Sequence, residues 1–190
     1  MCGRFYMDIE EKEFREILDE MERNAASLDG VNVKDHGEIY PTDTVPVLTG
    51  EHSGRLMQWG FRTFDGKGPI INARSETLME RPMFRRPALE HRCLIPATNY
   101  FEWQKAGSRK VKYALRPEEG SVFYMAGLYR MEQDSAAPRF VIITRDAAPG
   151  IRQIHDRMPV ILLEPHSLAW LEHGADALQY AEKTIGFTPA

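Results

Sequence analysis

Arg92-Cys93-Leu94-Ile95-Pro96-Ala97-Thr98-Asn99-Tyr100-Phe101-Glu102-Trp103 holds two short apolar runs with a Pro-to-Asn break between them. The runs at 92–96 and 100–103 are too short for core helices and rich in β-branched and aromatic residues, so they read as strands. The same pattern recurs outward in both directions, at 45–48, 56–61, 122–129, 140–144 and 160–163, punctuated by Gly, Pro and Asp. Two short helices interrupt it, at 83–90 and at 165–172, the second closed by Gly174. A longer helix is expected over 8–24. Asp8 and Glu11 form a capping box there, and Phe14, Ile17, Leu18 and Met21 fall on one face. Many short strands with few helices predict an α+β fold, mostly β: a barrel-like antiparallel sheet core with flanking helices.

The chain has 190 residues, 43% apolar and 27% charged, which fits one domain over 1–190 with a single sizeable core. No apolar run approaches the ~20 residues of a membrane span, and the acidic, amphipathic start is unlike a signal peptide. A cytoplasmic protein, nucleoid-associated if bacterial, is expected, acting as a monomer. The two cysteines, Cys2 and Cys93, form no CxxC, and no Cys/His cluster appears. Neither a metal, a cofactor nor a disulfide framework is expected, and Cys93 reads as a core thiol.

The net charge of -4 conceals a strong asymmetry. Residues 1–54 carry 5 Lys/Arg against 13 Asp/Glu, whereas residues 55–116 carry 13 against 5. A basic middle third in an acidic protein is the footprint of an anion-binding face or, more simply, of a mixed solvated surface.

Polar groups interrupt the apolar strands at four places. Glu102 stands among aromatics. Asn72 and Arg74 follow Ile70-Ile71. His155-Asp156-Arg157 lies between apolar flanks, and Thr144 ends Val141-Ile142-Ile143. Each has an ordinary structural reading taken alone. Together with Cys2 they make a plausible site. Removal of Met1 would leave Cys2 as the amino terminus, an aminothiol whose amine and thiol ionise near ~8 and ~8.5. Such a group condenses with an aldehyde to a Schiff base, which the thiol closes to a thiazolidine. A carboxylate among aromatic walls can shuttle protons, and so can a histidine near neutral pH.

These segments, in order, resemble one family closely. Met1-Cys2-Gly3-Arg4-Phe5, Tyr40-Pro41-Thr42, Trp59-Gly60-Phe61, Asn72-Ala73-Arg74-Ser75-Glu76-Thr77, 92–97 with 100–103, Met125-Ala126-Gly127-Leu128 and Ile154-His155-Asp156-Arg157-Met158-Pro159 are similar to the signatures of the SOS-response-associated peptidase family. Its members cross-link abasic sites in single-stranded DNA.

The resemblance implies single-stranded DNA with abasic sites as the partner. It makes Cys2 the nucleophile, Asn72 the group that orients amine and sugar oxygen, and Glu102 the proton carrier. It makes His155 the residue that opens the sugar and releases the adduct. Arg4, Arg74 and Arg157 would grip phosphates with Thr144 in support, and Arg81 and Arg85 lie near further basic contacts. The family name adds peptidase action at Cys2, whose leader here is Met1. Two alternatives stay open: a cysteine peptidase acting in trans, and a non-covalent reader of single-stranded or modified DNA. The chain departs from the family in lacking the proline and loop tryptophan after Trp59-Gly60, so that either Phe61 or Phe64 stacks on a base instead or the wedge is missing, and in showing no last strand after Gly174.

Overall fold

The computed structural model describes residues 2–8, 15, 19, 32–50, 53–63, 65–133, 135–164 and 166–190. The helix expected over 8–24 falls almost wholly outside them; Arg15 and Asp19 are helical.

Thirteen strands are found among the described residues: β1 (Phe5–Met7), β2 (Gly37–Ile39), β3 (Thr44–Gly50), β4 (Ser53–Trp59), β5 (Asn72–Arg74), β6 (Arg92–Ala97), β7 (Asn99–Ala106), β8 (Arg109–Pro117), β9 (Phe123–Arg130), β10 (Arg139–Asp146), β11 (Arg157–Pro159), β12 (Ile161–Leu162) and β13 (Ile185–Pro189). Two α-helices are described in full, α1 (Pro82–Glu90) and α2 (His166–His173). All seven strand runs read from the sequence fall on strands, and both short helices match.

The strands form two sheets. One runs β13-β8-β7-β1-β2 and is antiparallel throughout. The other runs β11-β10-β4-β3-β6-β9-β12 and curls back on itself, because β10 also pairs with β9. That closure leaves a ring-like sheet. It is mixed rather than purely antiparallel, since β10 runs parallel to both β4 and β5. Closure needs the backbones to approach at Gly127. A Cβ there would lie 2.4 Å from Ile95 Cδ1 and 2.9 Å from the Val141 carbonyl oxygen, so only glycine fits.

Alternating apolar residues from the strands fill the interior. Trp59 links the packing: Phe5 meets it edge-on at 5.1 Å, Phe140 stacks on it at 6.2 Å, and its indole N–H donates to the Ile71 carbonyl. Both helices pack against β6 and β9. α1 starts with Pro82 at its first position and buries Phe84 and Pro87. α2 buries Trp170, whose N–H donates to the Cys93 carbonyl, and ends at Gly174 in the left-handed conformation. Arg92 ties the helices together. Its guanidinium donates to the Ala88 and Leu89 carbonyls at the end of α1 and to those of Trp170, Leu171 and Glu172 at the end of α2. It therefore serves the fold, although it stands in the basic middle third.

Two expectations need correction. A last strand does exist: β13 pairs with β8 along its length. Gly186 and Pro189 mask it in the sequence, and it is tolerated because it lies at the sheet edge, where a missing N–H costs little. Phe61 cannot stack on a base. It is fully buried, packed near Phe84 with the Arg130 guanidinium over its ring. Phe64 lies outside the described residues. Cys93 is a buried free thiol, as its apolar run implies.

Candidate functional site

The segment Cys2–Arg4 leads into β1 and is clamped between the two sheets. The Arg4 carbonyl accepts from the Phe101 amide at 2.9 Å, and Phe5 pairs with Tyr100 on β7. From the other sheet, Asn72 at the start of β5 donates its side-chain N–H to the Cys2 carbonyl at 2.9 Å. The other end of that amide, Oδ1, is buried with no hydrogen-bond partner among the described residues. Asn72 thus holds the Cys2 backbone with one end and presents a free acceptor with the other.

Glu102 stands on β7 two residues beyond Tyr100, on the same face. It is only 3% exposed, and that burial holds its carboxyl above the usual carboxylate range, with the nearby His155 pulling the other way. The Cys2 thiol is fully buried and is likewise pushed up, first by burial and then by the charge of Glu102. Its S–H points to the Arg4 carbonyl at 3.7 Å. The Glu102 carboxylate therefore lies close enough to the Cys2 thiol for its charge to oppose thiolate formation.

His155 comes from the loop before β11. Its Nε2 lies 4.0 Å from a Glu102 carboxylate oxygen. Its Nδ1 meets a donor and an acceptor: the Arg157 amide donates to it at 3.0 Å, and an Asp156 oxygen lies 2.8 Å away. When Nδ1 accepts from Arg157, the neutral ring carries its proton on Nε2, facing Glu102. Cys2, Asn72, Glu102 and His155 are therefore brought together from four separate parts of the chain.

The cationic residues fall into two groups. Arg4 and Arg157 are held by carboxylates. Arg4 donates to Glu38 at 3.2 Å, and its guanidinium lies over the rings of Tyr40 at 4.2 Å and Trp103 at 5.0 Å. Lys112 pairs with the other Glu38 oxygen, and this bond foremost keeps the Glu38 carboxyl below its ordinary range. Arg157 is nearly buried and takes Glu76 as a two-pronged partner at 2.8 and 2.9 Å, with Asp146 at 2.5 Å. The same Arg157 hydrogen bonds hold the Glu76 carboxyl low. Thr144 is fully buried and offers its carbonyl to Arg157 at 2.9 Å, so it reaches the site through Arg157 rather than through solvent. Arg74, Arg81 and Arg85 are exposed, and among the described residues none of them forms an ion pair.

The carboxylate partners Glu38, Glu76 and Asp146 were not visible as site residues in the sequence. Glu76 meets Arg157 across 81 positions, and no local spacing announces that. The adjacent position of Arg74 and Glu76 on either side of Ser75 is the only local hint. Among the described residues no group of three or more His, Cys, Asp or Glu side chains is placed to hold a metal ion. No helix of the described residues is long and apolar enough to cross a membrane.

Comparison with known proteins agrees with this architecture. The family model described as SOS response associated peptidase (SRAP) matches residues 1–188. The chain is 31% identical over 196 aligned residues to the abasic site processing protein YoaM of Bacillus subtilis, covering 97% of this chain and 85% of that protein. It is 29% identical to the abasic site processing protein YedK of Escherichia coli, covering 100% of this chain and 88% of that one. The crystal structure of a Bacteroides thetaiotaomicron protein shares the fold, with a TM-score of 0.78 at 23% identity over 99% of this chain and 91% of the other. With the match spanning nearly the whole sequence, the chain belongs to the SOS response associated peptidase (SRAP) family.

Proposed function

We propose that this protein captures abasic sites in single-stranded DNA as a covalent thiazolidine through Cys2, once Met1 has been removed. The observation that carries the reading is the gathering of Asn72 at 2.9 Å from the Cys2 carbonyl and of His155 at 4.0 Å from Glu102, around a thiol whose ionisation Glu102 opposes. Relatives that bear the name abasic site processing protein support the substrate class.

The reaction follows from these groups. The ring-opened deoxyribose at an abasic site presents an aldehyde. The freed α-amine attacks its carbon, and loss of water gives an imine. The Cys2 sulfur then adds to the imine carbon, its proton ends on the nitrogen, and a five-membered ring closes. The sum is aminothiol plus aldehyde giving thiazolidine plus water. Glu102 takes the proton from the thiol and returns it, a role suited to a carboxyl whose affinity for protons is raised by burial. His155 serves the sugar oxygen during ring opening. The free Asn72 oxygen accepts from the α-amine and orients its lone pair.

The arginines supply the non-covalent grip. Guanidinium forks suit phosphate oxygens, and Arg74, Arg81 and Arg85 are open to them without rearrangement. Arg4 and Arg157 come to phosphate only by leaving Glu38, Glu76 or Asp146. While Met1 is attached, the Cys2 nitrogen is an amide and no imine forms. Self-removal of Met1 by the same residues is the peptidase part of the reading.

The experiment uses protein with Met1 removed, as shown by mass, and an oligonucleotide with one abasic site. A denaturation-resistant adduct that vanishes in Cys2→Ala is the expected result. Persistence of the adduct in Cys2→Ala rejects the reading, and turnover of added peptides instead points to a peptidase acting in trans.

A further inference from the structure

Tyr100 is completely buried, yet its hydroxyl has no hydrogen-bond partner among the described residues. A buried tyrosine hydroxyl normally finds one, because leaving it unpaired costs stability. Its position explains what it is there for. Tyr100 and Glu102 project from the same face of β7, and Tyr100 lies directly opposite Phe5, three residues beyond Cys2. Cys2 and Tyr100 belong to the same buried cluster.

The charges that act on this hydroxyl are those of Cys2, from the segment before β1, and of Glu102, from its own strand. His155 stands behind Glu102. On the neighbouring β8, the Tyr113 hydroxyl is engaged with Gln104. Burial first, then Cys2 and Glu102, push the Tyr100 phenol well above its ordinary range. It remains a neutral O–H donor throughout the working pH range.

The buried Cys2 sulfur needs such a donor when it ionises. Asn72 gives one of its two amide N–H groups to the Cys2 carbonyl. Arg4 has a buried unpartnered Nε, but its guanidinium is paired with Glu38 and stacked on two rings. The Tyr100 O–H is uncommitted.

We propose that Tyr100 is a further catalytic residue that donates a hydrogen bond to the Cys2 sulfur as it becomes a thiolate, promoting closure of the ring. The inference rests on the trapping reaction proposed above. In the resting protein the hydroxyl is unpaired among the described residues and the Cys2 S–H is turned to the Arg4 carbonyl. It acquires an acceptor of full strength only as the proton leaves sulfur.

The test is the single-turnover rate of adduct formation against pH, with Met1-free protein in excess over an abasic oligonucleotide. Tyr100→Phe keeps the ring and removes the donor. Its rising limb moves to higher pH by about one unit, a tenfold loss of thiolate at a given pH below that limb. Affinity for an intact oligonucleotide is unchanged, and the melting temperature is not lowered. Site-specific 3-fluorotyrosine at position 100, a stronger donor, moves the limb the opposite way. Coincident profiles for wild type and Tyr100→Phe overturn the inference while leaving covalent trapping intact. Absence of any adduct from the wild type overturns both.

Discussion

Arg157 offers a sharp test of how this protein meets DNA, because its guanidinium is already occupied by carboxylates. Both terminal nitrogens point at Glu76, and one of them also at Asp146. On the proposed reading, these acids compete with phosphate for the same guanidinium. A phosphate reaching Arg157 must displace one of them and meets its negative charge on the way. Glu76→Gln keeps the shape and one acceptor oxygen but removes that charge. The Glu76 side chain is 48% exposed, so screening is close to that of water. A unit charge about 5 Å from a bound phosphate is then worth roughly 1 kcal/mol. Binding of an undamaged single-stranded oligonucleotide should tighten about fivefold. One additional phosphate contact should steepen the logarithmic salt dependence by about 0.7. Fluorescence anisotropy across a salt series measures both quantities. If Glu76 instead served to aim Arg157 at the DNA, Glu76→Gln would weaken binding. A weaker or unchanged affinity refutes the competition argument.

Glu102→Gln should stabilise the protein at neutral pH and slow adduct formation. The folded-state pKa of Glu102 is raised by burial, so its protonated form favours folding below the unfolded pKa, and that stability is lost as pH rises through the folded value. The stability gap between variant and wild type should therefore open as pH rises from about 4 toward neutrality, in denaturant melts at several pH values. A gap that widens toward acid contradicts the assignment. Arg92→Ala uncaps both helices at once and should cost about 2–4 kcal/mol. For a chain of this size that lowers Tm by roughly 5–15 °C, and a loss of under about 2 °C would show that the carbonyls find other partners. Tyr100→Phe removes a buried, unpaired hydroxyl and should raise stability by about 1 kcal/mol while impairing the reaction; a destabilised variant argues that the hydroxyl is structurally engaged.

The strands at 92–97 and 139–146 were legible because continuous apolar runs bury on both faces of a closing sheet. β8 was not read, although Val111, Tyr113 and Leu115 alternate with Lys110, Lys112 and Arg116, because its basic residues masked a strand that is mostly half-buried. β1, β2, β5 and β11 are three residues each, too short for periodicity to register. β13 was hidden by its glycine and proline.

In the site, Cys2, Asn72, Glu102 and His155 could be singled out from residue type and resemblance, and the fold brings them together. What could not be read was long-range pairing. Nothing local says that Arg157 is held by Glu76, that Arg92 caps two helices rather than meeting an anion, or that Thr144 and Phe61 are buried. Nor does a tyrosine in a strand declare that its buried hydroxyl is left without a partner among the described residues.

The most direct test of the central claim is the intact mass of the protein before and after mixing with a single-stranded oligonucleotide bearing one abasic site. The account predicts a starting mass lacking Met1, then a denaturation-stable species equal to protein plus oligonucleotide minus one water, absent in Cys2→Ala. Protein that has lost Met1 and still gives no such species contradicts covalent capture through Cys2.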